Sequence, residues 1–359
     1  MSKVLLLGGT GAIGVYLAPE LIKSGHDVFI TSRSSKKSNI DKLSYIRGDA
    51  RNNLFLSKLL ENKYDSIIDF MTYGTDEFRE RHEFLLSNTT HYIFISSCAV
   101  FSESCEPITE TSPRLLDVLD DPVCLATDSY ALAKARHENI LRESQYNNWS
   151  IVRPTITYSK TRFDFGNFGE SVFVVLSLHN RPIIFPQEML LKQTTMTWGG
   201  DVAKMIVKLV LNRSAFCEDF NVCTTEYHSW SEVADYYKKL IGLNIVPTDF
   251  QNYLKIIGSK DKYRKLNTRL QNNRIMDNSK ILKATNMSQE DLMNLFDGLS
   301  LELSNKKTLK SIKMNYILCV KMSKITNTSV PIKFFIIHNI SIFRTRIINF
   351  VCRIFRKIF

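Results

Sequence analysis

The sequence predicts an α/β protein built on a doubly wound parallel sheet. Three observations carry that expectation: short uninterrupted apolar runs, a glycine-rich turn after the first of them, and helical periodicity between them. The composition agrees. A chain of 359 residues, 44% hydrophobic and 11% aromatic, is ordinary globular protein, which excludes disorder, collagen and a multi-span membrane protein. The length suits one large or two modest domains. Seven cysteines, odd in number and without a Cys-x-x-Cys pair, fit reduced thiols in a cytosolic protein and support neither a disulfide framework nor a metal site.

The elements follow in order. Lys3–Leu7 reads as a buried parallel strand, short and running into glycines, unlike a secretory signal. Gly8, Gly11 and Gly14 then open a helical stretch from Val15 to Ser24, with Leu17, Leu21 and Ile22 on one face. Gly25 ends that helix, and Val28–Thr31 forms a second strand. This βαβ unit is what a dinucleotide pyrophosphate requires. Glycines let the backbone approach the phosphates, and the helix N-terminus, around Ala12 and Ile13, supplies N–H groups and a positive dipole end. After the second strand the chain reads Ser32-Arg33-Ser34-Ser35-Lys36-Lys37, with no acidic residue for a ribose 2′-hydroxyl. Arg33 is suited to a 2′-phosphate, which favours NADP over NAD; a solvated basic loop is the other reading.

Further fragments complete a pattern. They are Gly48-Asp49-Ala50-Arg51, Tyr92 to Phe101 with Ser96 and Ser97, Pro107-Ile108-Thr109-Glu110, Tyr130-Ala131-Leu132-Ala133-Lys134, and Arg153-Pro154. In this order and spacing the sequence resembles the NAD-dependent epimerase/dehydratase family of extended short-chain dehydrogenase/reductases, over about residues 3 to 300. The resemblance implies a Rossmann-type fold and a nucleotide-sugar substrate. It also implies a homodimer joined through a four-helix interface. It assigns Gly8, Gly11, Ala12, Ile13, Gly14, Ser32, Arg33, Asp49, Ala50, Tyr130 and Lys134 to the cofactor, with Asp49 toward the adenine and Lys134 toward the nicotinamide ribose. Ser97, Tyr130 and Lys134 become the catalytic set, with Ser96 as the alternative hydroxyl.

The residues support that chemistry. Tyr130 and Lys134 stand four apart in a helical stretch from Ser129 to Arg142 and so project from one face. An ammonium beside a phenol favours the phenolate, which can take a proton from a sugar hydroxyl. Cys98-Ala99 stands where the family's 4,6-dehydratases carry an Asp-Glu pair, so dehydration is not expected and an epimerase or a reductase remains. Asp69-Phe70-Met71-Thr72-Tyr73-Gly74 departs from the small residues usual beside the nicotinamide. Members resembling the chloroplast stem-loop-binding branch are looser there. A non-catalytic cofactor-binding regulator or an RNA-binding protein of the same fold is therefore the alternative.

The chain divides into a dinucleotide-binding portion, 1–157, to which it returns near 195–225, a mainly substrate-binding portion, 158–304, and a tail, 305–359. Arg162 and Arg181 are possible contacts for a substrate diphosphate, Asp201 is expected to cap a helix, and Ser229 to Glu232 opens a capped helix. Lys260 to Arg274 reads as a basic helix over the pocket. The tail holds eight Lys and four Arg and no acidic residue, leaving 35 basic against 36 acidic residues elsewhere. The high net charge of +11 therefore belongs to the tail, and nucleic acid is not favoured as a partner. Ile340, Phe343, Ile347, Phe350, Val351, Ile354 and Ile358 recur at helical spacing opposite Arg346, Arg353, Arg356 and Lys357. Such a helix suits the anionic inner face of the cytoplasmic membrane, or a docking surface on a partner or on the body. The expected location is the cytoplasm, with peripheral membrane contact through this tail.

Overall fold

A computed structural model describes residues 2–257, 273–305, 309 and 312–328. At its centre is a sheet of seven strands: β1 (Lys3–Leu7), β2 (Asp27–Ser32), β3 (Leu43–Arg47), β4 (Tyr64–Asp69), β5 (Thr89–Ile95), β6 (Trp149–Pro154) and β7 (Glu218–Val222). Their order is β7-β6-β5-β4-β1-β2-β3, and every pairing is parallel. This is the Rossmann-type doubly wound arrangement that the apolar runs predict.

The alternation of side chains along each strand divides the core into two layers. Val4 and Leu6 of β1 face one side with Val28, Ile30, Ile68, Ile93 and Val152. There they meet helices α1 (Gly14–Lys23), α5 (Gly199–Leu209) and α7 (Ser279–Thr285). Leu5 and Leu7 face the other side with Ile67, Tyr92, Phe94 and Ile151, against α2 (Asn53–Leu60), α3 (Thr75–Ser87) and α4 (Tyr130–Arg142). With both faces covered, the carboxyl ends of the strands are the open edge on which a ligand can be built.

Beyond β6 the chain builds a second core of rings packed tilted or edge to face, Phe165, Phe173, Phe185, Trp230 and Tyr237 among them. It is covered by α6 (Trp230–Ile241), α8 (Leu295–Leu303) and α9 (Tyr316–Ile325). Between these parts the chain returns to the sheet, where α5 packs on α1 and β7 pairs with β6. The predicted cap at Ser229 is present. Its side chain accepts from Glu232 N at 3.2 Å, and Glu232 Oε2 accepts from Ser229 N at 2.8 Å. Asp201 differs from its expectation. It sits in the first turn of α5, whose N-cap is Trp198, with Oδ2 accepting from Met293 N at 2.6 Å and Oδ1 from Lys204 Nζ at 2.9 Å.

Among the described residues, no helix is long and apolar enough to cross a membrane. Most of the basic stretch Lys260 to Arg274 and the apolar stripe Ile340 to Ile358 lie outside the described residues.

Candidate active site

The glycine turn after β1 shows two different needs for a missing side chain. Gly8 adopts a left-handed φ of +73° and donates its N–H to Thr31 Oγ1 at 2.9 Å, which ties the turn to the end of β2. At Gly14 an added Cβ would lie 2.1 Å from Gly9 O, so the first turn of α1 closes directly on the loop. At Gly11 an added Cβ would meet nothing within 4 Å. The fold itself therefore does not require a glycine at that position. A concave backbone turn with one open glycine, capped by a helix N-terminus, fits a dinucleotide pyrophosphate.

Ser32 ends β2, buried, with its Oγ 3.3 Å from Ser34 Oγ; Arg33 beside it is exposed. At the end of the neighbouring β3, Gly48 N bonds Ser32 O at 3.0 Å. Asp49 is exposed and its Oδ1 accepts from Arg51 N at 3.0 Å, while Ala50 is buried. The structure thus brings Gly8, Gly11, Ala12, Ile13, Gly14, Ser32, Arg33, Asp49 and Ala50 to the carboxyl ends of three adjacent strands.

The Tyr/Lys pair opens α4, with Tyr130 as its first residue and Ser129 as its N-cap. One helical turn changes the environment completely: Tyr130 is 45% exposed and Lys134 is 2% exposed. The Lys134 ammonium donates to Ile95 O at 2.7 Å and to Met71 O at 3.2 Å, and sits 4.3 Å from the centre of the Phe94 ring. Burial pulls its pKa down to about 8; Asp69 and Glu138 act in the opposite direction.

Ser97 leaves β5 as the N-cap of a short turn, Cys98–Val100, which packs against α4. Its Oγ accepts from Ala99 N at 3.2 Å, so its own O–H remains a donor. Ser96, pointing the other way, donates to Glu138 Oε1 at 2.6 Å in the interior. Glu138 also receives Arg153 at 2.8 Å on each of its two oxygens and Arg114 at 3.2 Å. Burial pushes the Glu138 carboxyl up, but Arg153, Ser96 and Arg142 together outweigh it and the net shift is downward. The Arg153 of the Arg-Pro pair thereby braces α4 against β6, and it also meets Asp219 of β7 at 2.7 Å. Arg162 pairs with Asp164 at 2.8 Å, a surface contact.

One element escaped the sequence reading. Asp69 ends β4 fully buried, and its carboxylate accepts from Met71 N at 2.8 Å, Tyr92 Oη at 2.8 Å and Tyr73 Oη at 3.1 Å. An acidic residue closing an apolar parallel strand at its carboxyl end was the available signal.

The model of the NAD dependent epimerase/dehydratase family matches residues 4–223. The chloroplast stem-loop binding protein of 41 kDa b from Arabidopsis thaliana is 25% identical over 247 residues, 65% of this chain and 61% of that protein. A UDP-glucose 4-epimerase from Lactobacillus helveticus is 25% identical over 175 residues, 45% of this chain and 51% of the relative. The alignments therefore span between half and two thirds of these relatives' own length. In fold, the chain resembles the UDP-glucuronic acid 4-epimerase from Bacillus cereus, solved with UDP-glucuronic acid and NAD, with a TM-score of 0.64 at 17% identity. That match covers 86% of this chain and 99% of the other. MoeE5, solved with UDP-glucose and NAD, aligns with a TM-score of 0.64 at 17% identity, over 86% of this chain and 100% of the other. With the family's model matching more than half of its length, this chain belongs to the NAD dependent epimerase/dehydratase family.

Proposed function

We propose that the protein is an NAD(P)-dependent enzyme acting on a nucleotide-activated sugar, as an epimerase or a reductase. The observation that carries this reading is the environment of the pair on α4: a half-exposed phenol one turn from a buried ammonium. A protein that only binds a cofactor has no need for that pairing of phenol and ammonium. The nicotinamide cofactor, when bound, supplies the hydride acceptor and donor. Gly8, Gly11, Ala12, Ile13 and Gly14 would hold its pyrophosphate, Ser32 and Arg33 the adenosine ribose, and Asp49 and Ala50 the adenine.

Tyr130 takes the proton of the substrate hydroxyl and returns it in the reverse direction, favoured as phenolate by the neighbouring charge of Lys134. Ser97 donates its O–H to the reacting oxygen and fixes its direction. Arg33 supports NADP through charge, whereas the solved neighbours named above carry NAD. The two cofactors separate a reductase from an epimerase that recycles its cofactor in place.

The second reading is an RNA-binding protein of this fold, favoured by the likeness to the stem-loop binding protein. Tyr130→Phe separates the two. The enzyme reading expects turnover of a nucleotide sugar to fall at least about a hundredfold, the scale of general acid–base catalysis, with cofactor binding intact. Unchanged turnover would sink it.

A further inference from the structure

The loop after β4 carries a chain of contacts that the reaction just described does not use. Asp69 Oδ1 accepts from Met71 N at 2.8 Å, and the carbonyl of that same Met71 accepts from Lys134 Nζ at 3.2 Å. One residue thus faces a buried carboxylate with its N–H and the ammonium with its C=O. Two phenols fix the carboxylate from other elements: Tyr92 from β5 at 2.8 Å and Tyr73 from the loop before α3 at 3.1 Å.

The chain continues outward. Arg81 of α3 lies 4.6 Å from the centre of the Tyr73 ring and pairs with Glu77 at 3.1 Å. Its guanidinium also donates to Ala50 O at 3.3 Å and Arg51 O at 3.4 Å. Those two carbonyls belong to the loop assigned above to the adenine end of the cofactor.

We propose that Asp69 is a positioning residue for Lys134. Its carboxylate acts through the Met71 peptide to fix the ammonium under Tyr130, and through Tyr73 and Arg81 it joins that anchor to the loop at 48–51. The inference rests on the reading of Lys134 as the partner of Tyr130.

Other charges around Lys134 are already engaged. Glu138, on the same helix, is held by Arg153, Arg114 and Arg142. His137 is buried, its pKa pushed down to about 4 by burial and then by Lys134. Tyr130, one turn away on the same helix, is 45% exposed, and Tyr92 and Tyr73 donate to Asp69 itself. Arg81 is spent on Glu77 and the loop carbonyls. Of the two anions that act on the ammonium, Asp69 and Glu138, Asp69 is the stronger and is not held by an arginine.

The test is a pH titration of the full chain labelled with carbon-13 at the lysine ε-carbons, the Lys134 signal being assigned by its loss in Lys134→Met. In the wild type the midpoint should lie at about 8. Asp69→Asn keeps the shape and removes the charge, and the midpoint should fall by about one pH unit or more. An unchanged or higher midpoint in a folded variant overturns the proposal. If Asp69→Asn does not fold, Lys134→Met reports the same coupling from the other side, because linkage is reciprocal. The Asp69 carboxyl, followed by carbon-13 labelling, should then titrate at higher pH than in the wild type; no change would overturn the proposal. This readout needs no substrate. Failure to turn over any nucleotide sugar would refute the proposed activity and leave the Asp69 result standing.

Discussion

Lys134→Met should make the protein more stable at neutral pH while abolishing its proposed chemistry. The magnitude follows from the burial of the ammonium, which brings its pKa to about 8 in the folded chain. An unfolded lysine titrates near 10.4, and each unit of difference is about 1.4 kcal/mol, so the folded state forgoes about 3 kcal/mol at pH 7 by keeping this charge inside. The sign is set by proton binding. Between pH 8 and about 10.4 the unfolded chain holds the proton that the folded chain has released, so wild-type stability rises with pH across that window. Methionine fills the same volume without the charge and does not titrate. The two carbonyls at Ile95 and Met71 lose their donor, which returns about 1 kcal/mol of that gain.

Urea unfolding of both proteins at pH 7 and pH 10 isolates the effect, because other titrating groups cancel in the difference. The variant should be ahead by about 2 kcal/mol at pH 7, and the gap should close or reverse by pH 10. A gap that is the same at both pH values would refute the claim that Lys134 is a desolvated cation.

The remaining predictions address the turn, the brace and the cofactor. Gly14→Ala, which drives a Cβ into Gly9 O, should cost about 1–3 kcal/mol in urea unfolding. Gly11→Ala, with open space before it, should leave stability within about 0.5 kcal/mol and weaken cofactor binding in a fluorescence titration. Glu138→Gln should cost about 3 kcal/mol at pH 7, the low end for a broken buried pair, because Arg153 keeps Asp219 at 2.7 Å. The folded pKa of Glu138 is depressed, so its contribution is complete above the ordinary carboxylate range and fades as pH falls through the folded value. The stability difference should therefore shrink when the measurement is repeated in acid. Arg33→Ala should weaken NADPH binding about tenfold and leave NADH within about twofold, the difference of one charge-assisted contact, read by titrating both.

The sheet and the glycine turn were legible because their signals are local. Strand runs of four or five apolar residues, a glycine turn and a Tyr-x-x-x-Lys spacing each lie within one stretch of chain. Asp69 was not legible as a functional residue, because its importance comes from Tyr92 on the next strand, Tyr73 in the following loop and Lys134 far along the chain. The same departure from small residues that set the loop 69–74 apart in sequence is what supplies the carboxylate and the Tyr73 hydroxyl. The choice between Ser96 and Ser97 also needed three dimensions. Strand alternation sends the Ser96 hydroxyl to Glu138, while Ser97 caps the turn that follows by accepting from Ala99 N. Asp201 read as a cap because a helix begins there; the N-cap is Trp198, and Asp201 accepts from Met293 N and Lys204 Nζ instead.

Hydride transfer at the Tyr130 site is tested most directly by absorbance at 340 nm after mixing the full chain, saturated with NAD or NADP, with a panel of UDP-hexoses, followed by proton NMR of the sugar. At least one sugar should raise the absorbance or change configuration, and Tyr130→Phe should do neither while still binding the cofactor. Cofactor binding with no reduction and no altered sugar across the panel, in wild type and variant alike, would contradict it.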